Sequence, residues 1–147
     1  MQYKYQIFTT PGQSILADYD QDNWYTDRKA EIDSKFWTRY KNYLIDEKHF
    51  SPNVVSTLGE DTLDQKLMNY ILDPKAHYAT PVMKRGLIIG DVQSGKTSTY
   101  IGFLCKAADA GYKVFILLTG TIESLRKQTQ ERVEEGFIGI DMSSESK

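Results

Sequence analysis

The residues best equipped for chemistry stand together past the middle of the chain: Gly90-Asp91-Val92-Gln93-Ser94-Gly95-Lys96-Thr97. Two glycines with four residues between them, followed by Lys and Thr, form the phosphate-loop pattern. Each position has a chemical reason. A triphosphate tail needs several N–H donors converging on one anion with no side chains in the way. Gly90 and Gly95 permit the backbone angles that curl a loop into such a nest. A helix starting near Lys96 adds unsatisfied N–H groups and the positive end of its dipole. Lys96 can reach the β- and γ-phosphates as a mobile cation. The Thr97 hydroxyl suits a hydrated Mg²⁺, which takes few protein ligands. The expected ligands are ATP and Mg²⁺, held by Gly90, Asp91, Val92, Gln93, Ser94, Gly95, Lys96, Thr97 and Ser98. Lys96 is the phosphate-stabilising cation of that set and Thr97 its metal ligand.

Such a loop must be positioned by the elements around it. Leu87-Ile88-Ile89 is a short apolar run without alternation, the pattern of a strand buried on both faces. Thr97 to Ala110 reads as a helix, ended by Gly111. Val114-Phe115-Ile116-Leu117-Leu118 reads as a second buried strand, and Thr119-Gly120-Thr121 as a turn into a helix from Ile122 to Val133. Strand, helix, strand, helix in this order implies parallel strands joined by a right-handed crossover. The expected fold class is therefore α/β, with a parallel phosphate-loop sheet behind a helical N-terminal region.

That N-terminal region differs in kind. Residues 1–85 hold 8 of the 10 Tyr, both Trp and both His, so aromatic packing must dominate there. Tyr3, Tyr5 and Ile7 alternate with polar residues as in a short strand that Pro11-Gly12 ends. Ile32, Phe36, Tyr40, Tyr43 and Leu44 fall at helical spacing, with Trp37 widening the stripe. A second helix is expected from Asp61 as N-cap, with Leu63, Leu67, Tyr70 and Ile71 on its face and Asp73-Pro74 as its stop. Lys75 to Arg85 reads as a connector. The division expected is 1–84 and 85–147.

Composition narrows the function classes. With 147 residues the chain suits one compact domain, and 40% hydrophobic with 26% charged residues is an ordinary globular balance. A net charge of −2 argues against strong non-specific nucleic-acid affinity. A lone Cys105 excludes a disulfide partner and a cysteine zinc cluster, and suits a reducing cytoplasm. No apolar run is long enough for a membrane span.

The stretch from Arg85 to Gly139, with VQSGKT, KAADAGYK, LTGT and LRKQTQ in that order, resembles the phosphate-loop region of the bacterial Z-one-domain endonuclease family. FWTRYKNYL and NYILDP upstream are fainter echoes of it. Those proteins are large helicase-like ATPases of superfamily 2, linked to restriction of foreign DNA or phage defence. The resemblance implies that 85–147 is the first half of a RecA-like domain. It also implies that Thr119, Gly120, Thr121 and Arg126 contact a DNA backbone in the full-length protein. A helix start bearing hydroxyls and a glycine can donate to a phosphate, and Thr121 as a plain N-cap is the structural alternative.

Hydrolysis needs more than the loop: an acidic residue that holds Mg²⁺ and orients water, and an arginine on the transferring phosphate. Phe137-Ile138-Gly139-Ile140-Asp141 is the nearest imitation of an acidic strand, interrupted by Gly139. Asp33-Ser34-Lys35 and Asp46-Glu47-Lys48 have a nuclease-like spacing but fall on the aromatic helix as solvated charges. His49 and His77 lack metal-ligand partners, and Cys105 reads as a small core residue. The expectation is ATP–Mg²⁺ binding without turnover or DNA cleavage by this chain. A small phosphate-loop kinase and a non-enzymatic partner-binding module are the alternatives.

Overall fold

The computed structural model describes residues 23–89 and 95–139, and within them the chain is helical. Helix α1 is Trp24–Arg28, followed by a 3₁₀ turn at Lys29–Glu31. Helix α2, Lys35–Asp46, is the expected aromatic helix. Helix α3, Pro52–Thr57, runs into a π-helix at Leu58–Met68. Helix α4 is Lys96–Ala110, and α5, Glu123–Val133, continues as a π-turn at Glu134–Ile138.

Local chemistry explains most of these boundaries. The second helix starts ten residues before Asp61, because Ser51 caps it and Pro52 follows in the first turn, where the missing N–H costs nothing. The Ser51 hydroxyl accepts from the Val54 N–H. Helix α4 closes on Gly111, which adopts the left-handed conformation with φ 119°. Ser34 makes no side-chain cap for α2. The cap comes from across the fold, where the Asp109 carboxylate accepts from the Phe36 and Trp37 N–H groups at 2.9 Å each.

The α/β expectation is overturned. No strand forms among the described residues, and the runs 87–89 and 114–118 carry no regular secondary structure. Leu87, Ile89, Val114, Ile116 and Leu118 are largely exposed. The parallel phosphate-loop (RecA-like) sheet is therefore absent from the described structure, and so is the crossover pairing. A non-alternating apolar run states a need for cover on both faces, not what supplies it. Two such runs make at most two strands, each an edge, and a parallel pair needs neighbours and helices on both sides to be stable. Phe137 and Ile138 lie in the π-turn rather than in a strand. Tyr3, Tyr5, Ile7, Ile140 and Asp141 lie outside the described residues.

Burial concentrates instead where aromatic residues meet α4. One cluster joins Trp24, Tyr25 and Met68 to Ala107 and Ala110. The other joins Tyr40, Leu44 and Val55 to Ile101 and Cys105. Both clusters thus draw on residues from either side of position 84. Trp37 fits between the π-helix and α4 because glycines face it: a Cβ at Gly59 would stand 2.6 Å from its ring, and one at Gly102 3.1 Å. Asn69 ties α1 down, its Oδ1 accepting from the Tyr25 and Thr26 N–H groups at 3.1 Å each.

A charge sits inside this packing. Lys106, 4% exposed, donates to Asp64 Oδ1 at 2.5 Å, and Lys29 reaches Asp64 Oδ2 at 2.6 Å. The Lys106 ammonium also stands 4.6 Å from the Trp37 ring centroid and 6.0 Å from that of Tyr25, within cation–π reach. Burial pulls the Lys106 pKa below its ordinary value, and Asp64 opposes that pull. Removing Asp64 strands a buried cation, whereas removing Lys106 leaves Asp64 its second lysine. Asp64→Ala should therefore cost about 3–5 kcal/mol, and Lys106→Met clearly less. Urea unfolding of the two variants checks this; an equal or smaller loss for Asp64→Ala would reduce the pair to the weight of a surface bridge.

Candidate functional site

The first five loop residues, Gly90, Asp91, Val92, Gln93 and Ser94, lie outside the described residues; the end of the motif lies within them. Gly95 is the N-cap of α4 in the left-handed conformation, with φ 76° and ψ 19°. No atom stands within 4 Å of where its Cβ would be, so backbone conformation rather than crowding demands glycine there. Helix α4 then starts at Lys96, and no side chain caps it. A 15-residue helix thus presents an N-terminus with the chemistry an anion requires.

Lys96 is exposed in the first turn, and Thr97 and Ser98 beside it are half-buried. The Thr99 hydroxyl turns back to the Gly95 carbonyl at 3.2 Å, and the Thr99 N–H donates to the same oxygen at 3.0 Å. Tyr40 reaches the Ser98 carbonyl at 3.5 Å, linking the first turn to the core. These contacts engage carbonyls and leave the orientation of the turn's N–H groups unaltered. Lys96 and Thr97 thus fit the phosphate and Mg²⁺ roles by donor type and place. No cluster of three metal-ligating side chains occurs among the described residues.

Arg132 is the residue the sequence did not point to. Its Nη1 donates to Thr97 Oγ1 at 3.2 Å, from the last turn of α5. Tyr100 completes the group. Burial raises its phenol above the ordinary value, against the lowering pull of the Arg132 charge and a hydrogen bond with Thr97. The contact spans 35 positions, and a basic residue at a helix C-terminus reads by itself as a complement to the dipole.

The residues implied for DNA contact are placed differently. Thr119, Gly120 and Thr121 are exposed in irregular backbone. The N-cap of α5 is Ile122, with no side-chain cap, so Thr121 does not serve there. Arg126 is engaged by Glu123 through Nη2–Oε1 at 2.5 Å and Nε–Oε2 at 2.9 Å. The nuclease-like spacings resolve into ion pairs: Lys35 with Asp33 at 3.1 Å, and Lys48 with Glu135 at 3.2 Å. Cys105 is buried, its thiol pushed up to about 12 by burial, so it is no nucleophile. A polar groove lined by Arg39, Tyr43, Asp46, Lys48 and Glu135 contains none of the expected site residues. No helix among the described residues is long and apolar enough to cross a membrane.

Compared with protein-family models, curated proteins and solved structures, the chain matches none.

An L side chain in the left-handed region costs about 1–2 kcal/mol, and Asn suffers least. Gly95→Ala should therefore destabilise the fold by about that amount, with Gly95→Asn recovering part of it. Thermal unfolding followed by far-ultraviolet dichroism measures both; an unchanged midpoint for Gly95→Ala would show that the turn does not hold this conformation.

Proposed function

We propose that the chain binds ATP with Mg²⁺ at the start of α4. The carrying observation is the left-handed Gly95 set directly before an uncapped helix whose first turn bears Lys96 and Thr97. N–H groups of the first turn of α4 would face the phosphates, Lys96 would neutralise them, and Thr97 would give Mg²⁺ its protein oxygen. When bound, Mg²⁺ would lower the charge repulsion of the phosphate oxygens. The chain's own part is to hold and orient the tail.

Resemblance to the Z-one-domain endonuclease family extends this reading to a helicase-like ATPase acting on DNA, in restriction or phage defence. The order of VQSGKT, KAADAGYK, LTGT and LRKQTQ supports that extension. Nucleotide binding is the portion carried by named side chains in a described geometry.

Titration of the purified protein with Mg–ATP tests the reading, with Lys96→Ala as control. Binding to the wild type should be weak but measurable, and the substitution should remove most of it. Phosphate release should stay at the level of the Lys96→Ala background, because positioning and electrostatics make up nearly all of phosphoryl-transfer catalysis. Equal affinity in wild type and variant would overturn nucleotide binding at this site. Turnover on the order of 1 s⁻¹, the lower range of complete phosphoryl-transfer enzymes, would overturn the binding-only assignment.

A further inference from the structure

Two apolar stretches that the helices leave uncovered have no part in the site described above. In the first, Met83, Leu87 and Ile89 are between 73% and 84% exposed; in the second, Val114, Ile116 and Leu118 are between 74% and 92% exposed. Both are rooted in the same three residues of the fold. The Tyr70 hydroxyl donates to the Arg85 carbonyl, and the Tyr112 hydroxyl to the Leu72 carbonyl at 2.7 Å. Between those anchors, Ile71 packs on the cluster that Phe115 of the second run also joins.

Exposure on this scale is unfavourable for a lone molecule. A large aliphatic side chain carries about 100 Å² of apolar surface, so these six leave on the order of 500 Å² in water. A soluble monomer rarely leaves more than a few hundred Å² in one patch. One partner of a standard homodimer interface contributes about 800 Å², roughly two-thirds of it apolar. The six residues alone supply that apolar share. Charge is arranged to match: no Asp or Glu occurs between positions 78 and 90 or between 110 and 122. Lys84, Arg85 and Lys113 are exposed beside the runs 87–89 and 114–118 rather than within them. Covering the runs therefore buries no charge and leaves the cations on a wet rim.

We infer that this face is a dimerisation surface, and that its occupant is the same face of a second copy of this chain. Neither run carries a charged side chain that would call for an opposite charge on a different partner. A two-fold pair presents the same patch from both sides and closes the assembly at two copies. The inference stands independently of the nucleotide reading.

Sedimentation velocity and light scattering of the purified chain over a concentration series test it. Interfaces of this size range from micromolar to picomolar affinity, so the wild type should be a dimer at about 100 µM. Ile89→Asp and Leu118→Asp, which place a carboxylate inside the face, should each weaken that dimer by at least about tenfold. Val54→Asp replaces an exposed apolar residue of α3, outside both runs, and should leave the dimer unaltered. A monomeric wild type at the same concentration would overturn the inference, as would assemblies that keep growing with concentration. An equal loss in Val54→Asp, or a dimer that Ile89→Asp and Leu118→Asp leave intact, would remove this face from the contact. A monomer that floats with phosphatidylserine vesicles would give the face to a lipid surface and overturn the pairing. Far-ultraviolet dichroism of each variant separates lost pairing from lost folding, since a side chain already in water should be replaceable without loss of helix. Leu118→Cys is a milder probe, because the native Cys105 is buried. Its labelling by a maleimide should slow as the protein is concentrated; a rate constant independent of protein concentration would show the face uncovered and overturn the inference.

Discussion

A lysine ammonium almost wholly out of water is the constraint that most shapes this molecule. Lys106 can be buried only where a carboxylate meets it, and Asp64 can approach only if the π-helix lies along α4. The aromatic faces of Trp37 and Tyr25 complete the cage, which fixes α2 and α1 against the same helix. Three elements are thereby registered on one atom. A buried pair of this kind adds little net stability over an apolar replacement. What it supplies here is geometry, since sliding α4 by one turn would leave the Lys106 charge without its carboxylate.

Helix α4 transmits that geometry to its own N-terminus. Ile101 and Cys105 enter one cluster, Ala107 and Ala110 the other, and Asp109 caps α2. Burial raises the Asp109 carboxyl above its usual range, while the two N–H groups of α2 pull the other way. These five residues tie α4 into the fold, and its first turn is joined to other elements through Tyr40 to Ser98 and Arg132 to Thr97. An N-terminus held in place by the rest of its helix is what anion recognition asks of a helix.

The features legible in the sequence were those written in local chemistry. Gly95 and Gly111 bracket α4 because each occupies a backbone region closed to other residues, and the stripe from Phe36 to Leu44 follows helical spacing because one face is buried. Ser51-Pro52 carries an equally local start signal, ten residues before the expected cap at Asp61. The π-helix was hidden because spacing rules assume 3.6 residues per turn, and wider turns arise from packing, here around Trp37 and Gly59. The runs 87–89 and 114–118 misled for a different reason. Apolarity measures a demand for cover, and among the described residues that demand is not met: Leu87, Ile89, Val114, Ile116 and Leu118 stay largely exposed. Lys106 and Arg132 carried no mark at all, since their partners stand 42 and 35 positions away.

Loss of the sheet does not carry the phosphate chemistry away with it, because the two rest on different residues. Phosphate recognition needs N–H donors, a helix start and a cation, and of these α4 carries the helix start and Lys96 the cation. Catalysis is more demanding, since it needs a carboxylate free to hold a metal or orient water at a fixed place. Asp64 is committed to two lysines, Asp73 to Arg28, Asp109 to α2, Glu123 to Arg126 and Glu135 to Tyr43 and Lys48. Each of those carboxylates would have to abandon a structural partner before it could serve a nucleotide.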